Sequence, residues 1–122
     1  MFSRIEDIDV WKRGCRLAVD IYRFTEVEPL SKDWGLRDQM RRSSVSIPSN
    51  VAEGFERNTQ KEFRRFLFIA KGSCAELRTQ LYIVKALEKI SHDLVTPLIE
   101  ECKEVSAMLQ SLASKLNTGK SN

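Results

Sequence analysis

A chain of 122 residues, 42% hydrophobic and 30% charged, has room for one core and would bury roughly two thirds of its unfolded surface on folding. Five glycines and three prolines are too few for the repeated tight turns of an all-β fold of this size, which leaves an all-α domain. A formal charge of +3 admits an acidic partner such as nucleic acid without requiring one.

The first predicted helix spans about residues 8–26. Trp11, Cys15, Ala18 and Tyr22 fall on one stripe, with Val10, Leu17, Ile21 and Phe24 beside it, so the apolar face is broad. Pro29 and the polar run Ser31-Lys32-Asp33 close it, and Gly35 marks the turn into the second helix, about 36–56. Leu36, Met40, Ile47, Val51 and Phe55 would face the core. Pro48 cannot donate to the carbonyl of Ser44, so that helix must kink or divide; the apolar spacing stays in phase across it, and a kink is expected.

Thr59-Gln60-Lys61-Glu62 fits a capping box and opens the third helix, about 60–90. The fourth, about 94–117, carries a seam of Leu98, Cys102, Val105, Leu109, Leu112 and Leu116. Either Asp93 caps it with Pro97 in the first turn, or Thr96 caps it with Pro97 at the first helical position. Residues 117–122 read as a disordered tail. Short connections between long consecutive helices favour antiparallel neighbours, giving an antiparallel up-down-up-down four-helix bundle with a proline kink in helix two.

Helix three carries three tracks. Phe63, Ala70, Cys74, Leu77, Leu81 and Val84 form the core face. On the opposite side Phe68, Gly72, Ala75, Thr79, Tyr82, Ile83 and Ala86 form a second weakly polar stripe. It needs a cover, either another copy of the chain or the first helix and the loop around Trp34. Between the two lies a row at seven-residue spacing, Arg64, Lys71, Arg78 and Lys85, about 32 Å long at 1.5 Å per residue. Only Lys85 has an acid, Glu88, three or four positions away, so the row is not a set of intrahelical ion pairs. It is a solvated helix face or a ridge that tracks a phosphate backbone.

A polar track joins helices two and three: Gln39, Arg42, Ser46, Asn50, Glu53 and Arg57 on one, Ser73, Glu76 and Gln80 on the other. Antiparallel packing sets Arg42 level with Glu76, Gln39 with Gln80 and Glu53 with Arg64, so a partly buried Arg42–Glu76 ion pair is expected to fix register. A catalytic pair of Glu53 and Glu76 is disfavoured, because no nucleophile, metal ligand or phosphate loop accompanies it. Ser43, Ser44 and Ser46 lack a paired base and read as bonding to the backbone near Pro48. Cys15, Cys74 and Cys102 are odd in number and far apart, and with the one histidine, His92, expected in a turn, they form neither a disulfide framework nor a zinc site. No catalytic residue, metal or cofactor is therefore expected. No stretch suits a signal peptide or a membrane span, since the longest apolar run is Phe66 to Ala70, and a cytoplasmic location is expected.

The runs Gly35-Leu36-Arg37-Asp38-Gln39-Met40-Arg41-Arg42 and Ser46-Ile47-Pro48-Ser49-Asn50-Val51-Ala52-Glu53-Gly54 come first. Phe63, Phe66-Leu67 through Ala70, Gly72-Ser73 and Glu76-Leu77 follow, with Trp11 and Tyr22 early in the chain. Together they resemble the bacterial four-helix-bundle family of 23S ribosomal RNA intervening-sequence proteins. The resemblance covers about residues 5–117, is most specific from Ser46 to Gly54, and departs from the family pattern at Cys74 and Arg78. It implies small bundles assembling into homopentamers, with a biochemical function largely unassigned. A related branch, the accessory variability determinants of diversity-generating retroelements, binds nucleic acid and a reverse transcriptase. The resemblance thus favours the subunit-contact reading of helix three and makes RNA, DNA or a nucleic-acid-processing protein the expected further partner. Three functions follow: a non-enzymatic oligomer that binds such a partner through positive surface on helices two and three, a purely structural protein-interaction module, and a small-molecule enzyme needing a polar pocket near Asn50, Glu53 and Glu76.

Overall fold

A computed structural model describes residues 2–116; the expected disorder of 117–122 lies outside them. Four α-helices, α1 (Asp9–Phe24), α2 (Trp34–Phe55), α3 (Gln60–Leu87) and α4 (His92–Lys115), follow one another with two 3-10 turns, Ile5–Asp7 and Leu30–Lys32, and no strand among the described residues. α2 packs on α3, α3 on α4, and α1 on both α2 and α4. Contacts run in opposite directions along α2 and α3 and along α3 and α4. Gly54 lies against Phe63 and Phe66, and Ser46 bonds Ser73. Similarly Arg64 reaches Ala113, while Cys74 reaches Cys102.

The core follows the apolar periodicity. Leu17, Ile21, Met40, Ile47, Val51, Leu77, Leu81, Val95, Cys102 and Val105 are all fully buried, and every residue assigned to the inner face of α3 is buried. On α1 the Val10, Leu17, Ile21 and Phe24 stripe is buried together with Ala18 of the other stripe, whose Trp11 and Cys15 are half-buried. Tyr22, placed on the other stripe, is exposed and stacks instead beneath the Arg41 guanidinium, 4.5 Å from its ring centre.

Local chemistry sets the ends. α2 begins two residues earlier than its apolar pattern, because the Asp33 carboxylate accepts from the Leu36 amide at 3.2 Å and so caps a helix that includes Gly35. The chain passes through Pro48 as one helix. Nearby, the Ser43 and Ser44 hydroxyls donate to the carbonyls of Gln39 and Arg41, each at 2.9 Å. At α3 the Thr59 hydroxyl accepts from the Glu62 amide at 3.1 Å, as a capping box requires. The Glu62 carboxylate does not close the box; it pairs with Arg65 at 3.2 Å, and that bond holds its carboxyl below the ordinary range. α3 stops at Leu87 rather than near 90 because Glu88 turns left-handed, with φ 55°. Neither expected cap starts α4: Ser91 does, accepting from the Asp93 amide at 3.2 Å, so that His92 is the first helical residue and Pro97 lies further in.

Candidate functional site

Because α3 runs unbroken over 28 residues, its three tracks stay in line. The basic row is partly exposed and borders α4, not the α2 seam. Arg64 donates from Nε to the Ala113 carbonyl at 3.3 Å and stacks over Phe68, 4.9 Å from its ring centre. Lys71 Nζ donates to Gln110 Oε1 at 2.7 Å. Arg78 and Lys85 make no side-chain hydrogen bond or ion pair among the described residues. No acid pairs with any of the four there, so their charge is uncancelled at contact range although two of them are anchored to α4.

The polar track divides. Gln39, Arg42, Ser43 and Ser46 of α2 and Glu76 and Gln80 of α3 line one cleft of about 430 Å³. Its floor is tied together by Ser46 and Ser73, whose hydroxyls lie 2.8 Å apart, and by Asn50 Nδ2, which donates to Ser46 Oγ at 2.9 Å. The expected Arg42–Glu76 pair does not form: both side chains are exposed at the cleft, and neither has an ion pair among the described residues. Level Cα positions do not bring the long side chains together across a cleft this wide. Nor does Glu53 meet Arg64; it bonds Arg57 one turn along its own helix at 3.0 Å. The polar pocket lies at Gln39 to Ser46 and Glu76 to Gln80, not near Glu53.

The outer stripe of α3 is bare. Gly72, Ala75, Thr79, Tyr82 and Ile83 are exposed, Tyr82 and Ile83 by 45% and 47%, while Phe68 is half-buried. A Cβ built on Gly72 meets nothing within 4 Å. Neither proposed internal cover reaches it, since α1 packs on α2 and α4, and Trp34 itself is 67% exposed. Ile69 and Leu87, nearer the α2 side of the same helix, are also exposed, by 39% and 52%.

The family model of the 23S rRNA-intervening sequence protein matches residues 6–111, a span holding all three tracks and the cleft. The chain belongs to this family. Its fold is similar to that of a protein of unknown function from the S23 ribosomal protein family of Bacteroides thetaiotaomicron VPI-5482. The TM-score is 0.79 at 24% identity, over 87% of this chain and 99% of the other. No curated protein matches.

Beside those tracks, the chain holds a charged cluster that sequence reasoning missed. Arg13 of α1 grips Glu101 of α4 with two hydrogen bonds of 2.8 Å and Glu104 with a third of 2.9 Å. Glu101 and Glu104 lie 88 and 91 residues from Arg13 and carry no local signal. Hydrogen bonding from Arg13 holds the Glu101 carboxyl below its ordinary range. A depressed folded value makes the contribution complete above the unfolded pKa, about 4.3, and lost as pH falls through the folded one. Glu101→Gln should therefore cost about 1 kcal/mol at neutral pH and much less in acid, read from urea melts at both. An equal cost at both would show that the carboxylate's charge contributes nothing. The three cysteines are free, and the neighbouring Cys74 together with burial pushes the Cys102 thiol up. Among the described residues no three His, Cys, Asp or Glu side chains gather as metal ligands, and no helix is long and apolar enough to cross a membrane.

Proposed function

We propose that this chain is a non-enzymatic, cytoplasmic oligomer, an up-down-up-down bundle kinked at Pro48, that binds nucleic acid or a nucleic-acid-processing partner through the basic face of α3. The observation that carries this reading is a row of four cations on one continuous helix, none of them ion-paired among the described residues. A chain of phosphates supplies counter-charge at repeated spacing, and each phosphate neutralised releases a bound counterion. Titration of a uridine oligomer at several salt concentrations tests it. Four contacts give a slope near −2.8 in log–log form, about a 50-fold loss between 50 and 200 mM salt. Binding that is flat in salt, or absent at low salt, rejects it.

The uncovered stripe supports self-association, with five copies the stoichiometry implied by family resemblance. Ile83→Arg places a charge in that stripe without touching the core, so it should yield folded monomers whose melting temperature falls only by the lost association. Size exclusion with light scattering reads this, and a monomeric native protein at micromolar concentration removes the proposal. The anchoring of Arg64 and Lys71 to α4 favours a second reading, a protein-interaction module in which the row is structural. That module predicts little salt-dependent binding to RNA or DNA.

A further inference from the structure

The cleft between α2 and α3 gathers groups that do not satisfy one another. Gln80, which lines it, keeps its Oε1 buried with no hydrogen-bond partner among the described residues. Arg42 and Glu76 line the same cleft with opposite charges, and neither has an ion pair among the described residues. Its volume, about 430 Å³, is that of a small-ligand site and many times the roughly 30 Å³ of one water molecule.

The lining decides the class of occupant. A simple anion would suit Arg42 but meet repulsion from Glu76, and a simple cation would meet the reverse. The occupant must offer a donor edge to Glu76 and an acceptor edge to Arg42, with no net charge where it touches them. A planar nucleobase does so while slotting between two helices. Among the four bases only guanine has two adjacent donors, N1–H and the N2 amino group, that match the two oxygens of one carboxylate. Its O6 and N7 form the acceptor pair that an arginine takes bidentately.

We propose that this cleft binds a guanine base, with Glu76 accepting from N1–H and N2 and Arg42 donating to O6 and N7. The base belongs to a free guanine nucleotide or to an unpaired residue of a bound RNA. Only the RNA form rests on the nucleic-acid reading above.

The test titrates the full chain with guanosine, inosine and adenosine 5′-monophosphates, followed by amide chemical shifts. Inosine lacks only the N2 amino group and should bind about tenfold more weakly, and adenosine more weakly still. Glu76→Gln should cost about tenfold for guanosine monophosphate; Glu76 is exposed and makes no side-chain hydrogen bond or ion pair among the described residues that the change would break. A uridine oligomer with one central guanosine, compared with the same oligomer carrying inosine, then separates the sources. Tenfold discrimination there assigns the base to RNA, and discrimination among mononucleotides alone assigns it to a free nucleotide. Equal affinity for the three monophosphates, or no shift of α2 and α3 amides at millimolar ligand, overturns the site. Steep salt-dependent uridine binding without guanine preference overturns it while leaving the basic row. Guanine discrimination without uridine binding keeps the site and removes the row.

Discussion

Gly54→Ala is expected to destabilise the bundle by about 1–3 kcal/mol, opposite in sign to the roughly 1 kcal/mol that alanine ordinarily gains over glycine within a helix. Gly54 lies in the last turn of α2, where a Cβ would come 2.6 Å from Phe66 Cβ and 3.2 Å from both the Phe63 carbonyl oxygen and ring. Two of those atoms are backbone or Cβ and cannot swing aside, so the helices themselves would have to part. Gly35, also in α2, meets nothing within 4 Å, and Gly35→Ala should be neutral or slightly stabilising, which makes it the control. Urea denaturation of both variants reads the difference. A stabilised Gly54→Ala protein would mean that α2 and α3 stand further apart than this contact demands. The same contact bears on the cleft: the helices touch at Gly54, are joined again by Ser46 and Ser73 at 2.8 Å, and open only beyond, where Gln39 and Gln80 face the cavity.

What could be read from the chain beforehand was what repeats. Twenty-eight residues of uninterrupted period placed the core, outer and basic tracks of α3, because a helix converts spacing into direction without further information. Single-residue decisions were less legible. Ser91, Asp93 and Thr96 are all competent caps within six positions, and only their backbone conformation selects Ser91. Glu88 ends α3 in a left-handed conformation for which glutamate is no signal. The polar track was assembled at the right level of the bundle, yet its charges were paired wrongly, since helical register fixes Cα height and not the reach of an arginine. Arg57, four residues from Glu53, took the partner assigned to Arg64. The Arg13 cluster depends on α1 meeting α4, a tertiary contact that leaves no local pattern.

Reversing two charges of the basic row, Arg64→Glu with Arg78→Glu, is expected to lower affinity for single-stranded RNA by roughly a hundredfold at low salt. It should also halve the salt slope, leaving about a sevenfold loss between 50 and 200 mM where the native protein loses about 50-fold. Arg64 also holds the Ala113 carbonyl and stacks on Phe68, so this pair alone could weaken binding through the packing of α3 on α4. Arg78→Glu with Lys85→Glu makes the same change in charge at residues with no internal side-chain bond among those described, and it isolates electrostatics from packing. Filter binding across a salt series, with a thermal melt of each variant, separates the cases. Equal losses in the two pairs with native-like melting mark a phosphate-tracking surface. A loss confined to the pair containing Arg64, with a lowered melt, marks a structural arginine and favours the protein-interaction module. The outcome also bears on the proposed assembly: the row and the bare stripe share one helix, so copies joined through Tyr82 and Ile83 would carry their cationic rows near the contact. Avidity would then make the native oligomer bind long RNA far more tightly than the Ile83→Arg monomer, while short oligomers contacting one row should not distinguish them.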